Sequence, residues 1–282
     1  MQKMNFHTHT QYCDGTGSPE VYVEAALDRG FIALGFSGHA PLPFPNSWTM
    51  DEDSLPRYLS EIRKLRELNR DRIEIYLGLE TDFLDPEQNA GHPRLDPLGL
   101  DFQISSVHML YDPSEKIYCS VDGPVEELQH LISSTFDGSP RRMIEAYYLQ
   151  VQKMLRIGGF DIIGHFDLIK KHNRSEKFFS EDEDWYRRII EETLNAAAAS
   201  GKILEVNTGA MSRGYTDEPY PSPWILEICA DLGIPVMLNA DAHKPEHIDY
   251  AFRETERMLR KAGYSHGWGL LQNRWQEVAF DG

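Results

Sequence analysis

A chain of 282 residues, 41% of them hydrophobic, can bury a sizeable core and fits one large domain or two small ones. Its formal net charge of -17 excludes a surface built for nucleic acid or anionic lipid, either of which would need an excess of Lys and Arg. No stretch approaches the roughly 18 apolar residues that span a bilayer, no basic segment followed by an apolar run opens the chain, and Cys13, Cys119 and Cys229 form neither a CxxC pair nor a disulfide framework. A reducing, cytoplasmic setting is expected, with no membrane or nucleic-acid partner.

Short apolar, β-branched runs alternate along the chain with longer stretches of helical period, the pattern of βα units that build a parallel sheet or barrel. The first strand is expected over 2–6 and runs into His7-Thr8-His9. A helix over 18–30 leads to a strand over 31–37, which ends in Ser37-Gly38-His39. Residues 40–50 read as loop, and the helix over 52–69 carries an apolar stripe of Leu55, Tyr58, Leu59, Ile62, Leu65 and Leu68. The third strand, 73–79, closes on Gly78-Leu79-Glu80, and a Pro-, Asp- and Gly-rich loop over 81–100 is long enough to cover a site. The strand over 101–107 delivers His108. After a helix over 140–157, the strand over 161–164 delivers His165. Helix 183–200, strand 202–206 and helix 222–232 follow; strand 235–240 ends in Asp241-Ala242-His243, and a last helix is expected over 245–262. Gly30, Gly201, Gly233 and Gly263 each suit a helix end. No linker or sequence repeat interrupts this order, so one domain over 1–282 is expected.

The C-terminal ends of strands in a parallel barrel converge on one rim, where such folds place their chemistry. Here strand after strand ends in a residue able to bind a metal: His7, His9, His39, Glu80, His108, His165, Asp241 and His243. A lone strand-end histidine is ordinarily a hydrogen-bonded structural residue, but its recurrence from strand to strand is not explained that way. In the HxH and DxH pairs, residues i and i+2 share a strand face, so both can grip one ion. A multinuclear metal site at the C-terminal rim is the expectation. Asp14, in the turn after the first strand, is close enough to join it, whereas His92, His130, His172, His247 and His266 fall outside the pattern.

The blocks NFHTHTQYCDGTG, FSGHAPLP, GLETDF, SSVHML, IIGHFDLIKK, EVNTGA and NADAH, in this order, resemble the polymerase-and-histidinol-phosphatase family across nearly the whole chain, at its monofunctional histidinol phosphate phosphatases. The resemblance implies an α/β fold, a distorted (β/α)7 TIM-like barrel, with three divalent metal ions and a bridging hydroxide. His7, His9, Glu80 and Asp241 would hold the first ion, Asp14, His39 and His243 the second, and Glu80, His108 and His165 the third. Glu80 would bridge two ions, which suits a bidentate carboxylate and not an imidazole. Glu80, Asp241 and His243 would thereby be the catalytic residues. The implied activity is hydrolysis of L-histidinol phosphate to L-histidinol and phosphate in histidine biosynthesis. Mixed imidazole and carboxylate ligands suit Zn, Mn, Fe or Co. Three such ions bring +6 against -3 from Asp14, Glu80 and Asp241, so a phosphate dianion is attracted into a protein whose overall charge would repel it.

Two covalent phosphatase motifs fail, since no Cys-x5-Arg follows any cysteine and Tyr12 stands where an aspartyl phosphatase would need an acid two positions before Asp14; the HExxH helix of zinc proteases is missing as well. Arg213 is the first candidate to bind substrate phosphate, with Lys170 and Lys171 as alternatives, and Asn207 completes the rim. Phe44, Trp48 and Asp82 in the covering loops are candidates for the imidazole and ammonium. The partner is expected to be a small phosphorylated metabolite. Two rival readings remain at this point, a phosphoesterase for another small ester and a non-catalytic metal-dependent binding protein.

Overall fold

The computed structural model describes residues 2–280. In chain order its elements are β1 (Lys3–Asn5), α1 (Pro19–Asp28), β2 (Phe31–Phe36), α2 (Ser54–Asn69), β3 (Glu74–Asp82), β4 (Phe102–Ser106), β5 (Met109–Asp112), β6 (Ile117–Ser120), α3 (Val125–Thr135) and α4 (Pro140–Ile157). They continue with β7 (Ile162–Ile163), α5 (Asp184–Ser200), β8 (Ile203–Asn207), α6 (Gly209–Ser212), α7 (Pro223–Asp231), β9 (Val236–Asn239), α8 (Phe252–Lys261), β10 (His266–Leu271) and β11 (Arg274–Ala279). Seven strands form one parallel sheet in the order β1-β2-β3-β4-β7-β8-β9. All seven expected strands are therefore present, and each sits beside its predecessor.

The sheet nearly closes on itself. Between β1 and β9 the ladder is replaced by side chains: Phe6 N donates to Asn239 Oδ1 (2.8 Å) and Ala240 N to Asn5 Oδ1 (2.9 Å). Just above, His9 N donates to Ala242 O (2.9 Å) and Ala242 N to His7 O (3.1 Å). Two buried asparagines thus satisfy backbone groups that a regular eighth strand would otherwise pair. The result is a distorted (β/α)7 barrel.

The helices cover the outside. In α2, Tyr58, Leu59, Ile62 and Leu65 are buried as expected, but Leu68 is 67% exposed and Asn69 turns inward in its place, because Leu68 falls off the side of the stripe at helical pitch. The last helix begins only at Phe252 rather than 245, since Ala251 is left-handed (φ 56°) and separates it from a single 3-10 turn over Pro245–His247. Two helices and two antiparallel hairpins were not expected: α3, the short α6, β5–β6 and β10–β11.

The β10–β11 hairpin plugs the N-terminal mouth of the barrel. Leu270 and Val278 join Met4, Phe6, Tyr76, Phe102, Ile104 and Met237 in one buried cluster, with Trp275 at 6.4 Å from Phe6. Phe102 fills the barrel so fully that a Cβ on Gly78 would lie 2.5 Å from its Cζ. With the floor apolar, the buried polar side chains of the strands collect at the opposite rim. Among the described residues no helix is long and apolar enough to cross a membrane.

Candidate metal centre

Glu80 is the hub. The third strand runs three residues further than expected, to Asp82, so Glu80 lies inside β3, where pleating turns it into the barrel and the backbone holds it: its N–H donates to Ser37 O (3.1 Å). Its side chain is buried, and its two oxygens face different neighbours. Oε2 lies 3.1 Å from His7 Nε2, 3.4 Å from His9 Nε2 and 3.1 Å from His39 Nδ1. Oε1 lies 2.9 Å from His165 Nε2 and 3.5 Å from His108 Nε2, and accepts from Ser106 Oγ (2.7 Å). One carboxylate thus meets five imidazoles.

Around this hub the side chains fall into overlapping groups able to hold an ion: His7, His9 and Asp241; His9, Asp14, His39 and His243; and His39, Glu80 and His108. Asp241 Oδ1 is 3.2 Å from His9 Nε2 and 3.7 Å from His7 Nε2. His243 Nε2 is 3.1 Å from Asp14 Oδ2, and His39 Nε2 is 3.8 Å from Asp14 Oδ1. His165 joins the last group, its Nε2 facing that of His108 at 3.1 Å. Ligand atoms about 2.0–2.2 Å from one tetrahedral ion stand roughly 3.3 Å from each other, so these spacings suit shared cations. The buried His9 Nε2 and His39 Nδ1 have no hydrogen-bond partner, which for polar atoms at this depth is costly unless a ligand satisfies them. The donor set fits divalent metal.

A second layer aims the rings. Glu205, fully buried, places Oε1 2.6 Å from His7 Nδ1, while its Oε2 accepts from His165 N (2.9 Å) and Asn207 Nδ2 (2.9 Å). Asp82 Oδ1 lies 2.9 Å from His108 Nδ1. Each carboxylate can accept a hydrogen bond from the N–H of the far nitrogen, leaving Nε2 to face the cluster. This corrects the reading of Asp82 as a partner for ammonium: it is buried and engaged with His108. Glu205 escaped sequence reasoning, although a glutamate in the apolar run Ile203–Asn207 is a buried charge in want of a partner. Asp241 adopts φ 47°, and Gly209 packs against it so closely that a Cβ would meet its Oδ2 at 2.6 Å.

The electrostatics of the protein groups follow from this crowding. Burial opposes charge on Glu80, yet His7, His39 and His108 hold it well below the ordinary carboxylate range. Asp241 is likewise lowered against its burial by Arg213, His7 and His243. Burial pushes His39 down to about 4 despite Glu80. For His108, burial is outweighed by Asp82 and Glu80, and the ring is raised to about 10. Glu80 and Asp241 are thus held as carboxylates at the centre of the cluster, the form in which they would bind a metal.

A cavity opens over the cluster, and it contains Arg213, Lys171 and Trp48. Arg213, at the end of α6, lies with one guanidinium nitrogen 3.1 Å from Asp241 Oδ2 and another 2.8 Å from His243 Nδ1. Trp48 stands edge-on to His39 at 4.7 Å. Lys170, by contrast, is not brought to this cavity: it is buried against Glu218 (2.8 Å) and Asp167 (3.1 Å) and borders a separate one. Its neighbour Lys171 takes the place, because the 3-10 turn over Leu168–Lys170 points successive side chains apart. Asn207 is fully buried and both ends of its amide are occupied, Nδ2 with Glu205 and Oδ1 accepting from Gly209 N (2.8 Å), so it shapes the start of α6 instead of lining the cavity. Phe44 stacks on Tyr118 (5.7 Å) away from the cluster.

Comparison with known proteins agrees with this architecture. The PHP domain profile matches residues 5–209. A Deinococcus radiodurans relative is 31% identical over 91% of this chain and 92% of its own length, and the histidinol-phosphatase of Bacillus subtilis is 30% identical over 89% and 97%. Among solved structures, the histidinol phosphate phosphatase of Lactococcus lactis, complexed with zinc, L-histidinol and phosphate, superposes with a TM-score of 0.68 at 20% identity over 98% of this chain and 99% of that one. A Listeria monocytogenes structure gives a TM-score of 0.76 at 20% identity, covering 89% and 99%. At this identity the two structures share the fold.

Proposed function

Because the chain belongs to the PHP domain family, we propose that it is a metal-dependent phosphomonoesterase that hydrolyses L-histidinol phosphate to L-histidinol and phosphate. The observation that carries this reading is Glu80, whose two oxygens stand between five imidazoles beneath a cavity that also presents a guanidinium and an ammonium. The substrate follows from the curated relatives, which are matched over nearly their whole length and include the histidinol-phosphatase of Bacillus subtilis. Residues beyond 209 belong to the same catalytic unit, since they contribute Arg213, Asp241 and His243 to the rim.

In this proposal His7, His9, Glu80 and Asp241 hold one divalent ion, Asp14, His39 and His243 a second, and Glu80, His108 and His165 a third. Zinc, as in the Lactococcus lactis structure, or Mn, Fe or Co would satisfy these ligands. Bound ions supply a hydroxide nucleophile at neutral pH and neutralise phosphate oxygens. The protein's own part is positional. Glu80, Asp241 and His243 keep the ions beside the reacting atoms. Glu205 and Asp82 lock the rings of His7 and His108, and Arg213, already anchored by Asp241, offers its remaining donors to a phosphate oxygen. Trp48 walls the cavity and limits access of bulk water.

The test is phosphate release from histidinol phosphate and a panel of other phosphomonoesters, before and after chelation and metal restoration. Metal-restored preference for histidinol phosphate is expected. Preference for another ester would discard the substrate, and no release with any of the four metals would discard the phosphatase.

A further inference from the structure

We propose that Asp122 is the specificity residue that receives the ammonium group of the substrate, an inference that rests on the histidinol phosphate reading of the site. Four carboxylates border the cavity over the cluster, Asp14, Glu80, Asp122 and Asp241, and three of them belong to the proposed ligand groups. Asp122 is the fourth. It lies in the turn just after the hairpin β5–β6, which is inserted immediately after His108, and this turn borders the cavity together with His108 and His165.

This turn is built to hold one carboxylate still. Val121 N donates to His108 O (2.9 Å), which ties the turn to the cluster. Ser120 Oγ accepts from Asp122 N (3.3 Å) and Gly123 N (2.8 Å) while lying 3.0 Å from Asp122 Oδ1. Ser120 N donates in turn to Glu127 Oε1 in α3 (2.8 Å), and His172 Nε2 lies 2.7 Å from Gly123 O. The side chain remains 24% exposed, and Lys171 stands 3.3 Å from its Oδ2 with its ammonium 4.7 Å from the Tyr215 ring centroid. An ionised carboxylate has about four acceptor positions, so Ser120 and Lys171 leave room for a further donor. Burial would favour the neutral acid, but Lys171, with His108 and His165, brings Asp122 down to about 2. Paired with Lys171, it stands as a negative charge in the cavity lining.

The substrate's chemistry calls for such a charge at this place. Its phosphate is the part that the positive cluster and Arg213 would draw in. Its ammonium is carried on the carbon next to the one bearing the ester oxygen, so it enters the same cavity only a few bonds behind phosphorus, where Arg213 and bound cations would repel it. Asp122 is the carboxylate in the lining that is not already committed to the cluster, and a charge-assisted bond to it would orient the amino alcohol as well as attract it.

The experiment compares the wild-type, metal-loaded protein with Asp122→Asn on two esters, histidinol phosphate and its deaminated analogue. Wild type is expected to prefer the aminated ester in kcat/KM by about 10- to 100-fold, as fits one charged hydrogen bond, and Asp122→Asn to abolish that preference through the aminated ester alone. Asp122→Glu, which keeps the charge one methylene further out, should retain part of it and guards against a variant that merely folds poorly. A wild-type preference that survives in Asp122→Asn, or equal losses on both esters, would overturn the role of Asp122 and leave the phosphatase standing. A wild-type protein that hydrolyses neither ester would overturn the functional reading and this inference together.

Discussion

Glu205 touches none of the atoms that would surround an ion, yet it orders two of the residues that do. Its oxygens reach His7 Nδ1 and the backbone N–H of His165, on opposite sides of Glu80. Glu205→Gln keeps the shape and removes the charge that fixes the His7 tautomer, so metal affinity should fall about 10- to 100-fold in a chelator competition. Unchanged affinity would contradict the role. His108 makes a second prediction. Held at about 10 by Asp82 and Glu80 against its burial, it carries a proton at neutral pH in the ion-free protein, and a cation can bind its Nε2 only by displacing that proton. Metal uptake should therefore release protons and tighten as pH rises through the range below that value; calorimetry in buffers of different ionisation enthalpy would show the release, and proton-neutral uptake would contradict it. At this scale the candidate ligands were legible because metal chemistry admits few residue types and the strands present them at their ends. Glu205 and Asp82 were not, since which ring a carboxylate serves depends on a neighbour far away in sequence.

The elements divide between those that carry the site and those that support or cover it. Strand positions were legible from the alternation of apolar runs and helical stripes, and the barrel from their order. The hairpins were not. Gln272 and Asn273 form a two-residue turn with both φ values positive (51° and 57°), a conformation for which Asn-Gly is the readable signature and Gln-Asn is a poor one. Helix α3 did leave a trace, Leu128, Leu131 and Ile132 at helical spacing, but in a segment of only 11 residues. The β10–β11 plug should matter for stability and not for the cluster, because it fills the other end of the barrel. Leu270→Ala removes a side chain that is 3% exposed and should lower stability by about 2–4 kcal/mol. Denaturant unfolding would read the loss, while metal affinity of the folded protein stays as in wild type. A variant of normal stability, or one whose metal affinity falls as well, would contradict this separation of floor from rim.

At the scale of the whole molecule, an acidic protein is proposed to bind an anion. A net charge of -17 is compatible with that only if the local field is reversed, and the basic residues of the cavity, Arg213 and Lys171, are each already paired with a carboxylate. The reversal must come from bound cations, and the barrel provides for them by confining its apolar filling to one end and gathering nine candidate ligand side chains at the other. The broad outline of this arrangement could be read from strand-end residues alone. The selection among phosphate-facing cations could not: Lys170 and Lys171 are indistinguishable in the sequence, and only the turn that holds them decides which one meets the cavity.

A metal cluster gathered around Glu80 is proposed to hydrolyse histidinol phosphate. The most direct test is a titration of metal into the chelated protein in which bound ions and phosphate release are followed together. Hydrolysis is expected to appear as the three ligand groups fill, and Glu80→Gln, which weakens the shared ligand, to lose bound metal and turnover in parallel. Full turnover in the chelated protein, or in Glu80→Gln, would contradict it.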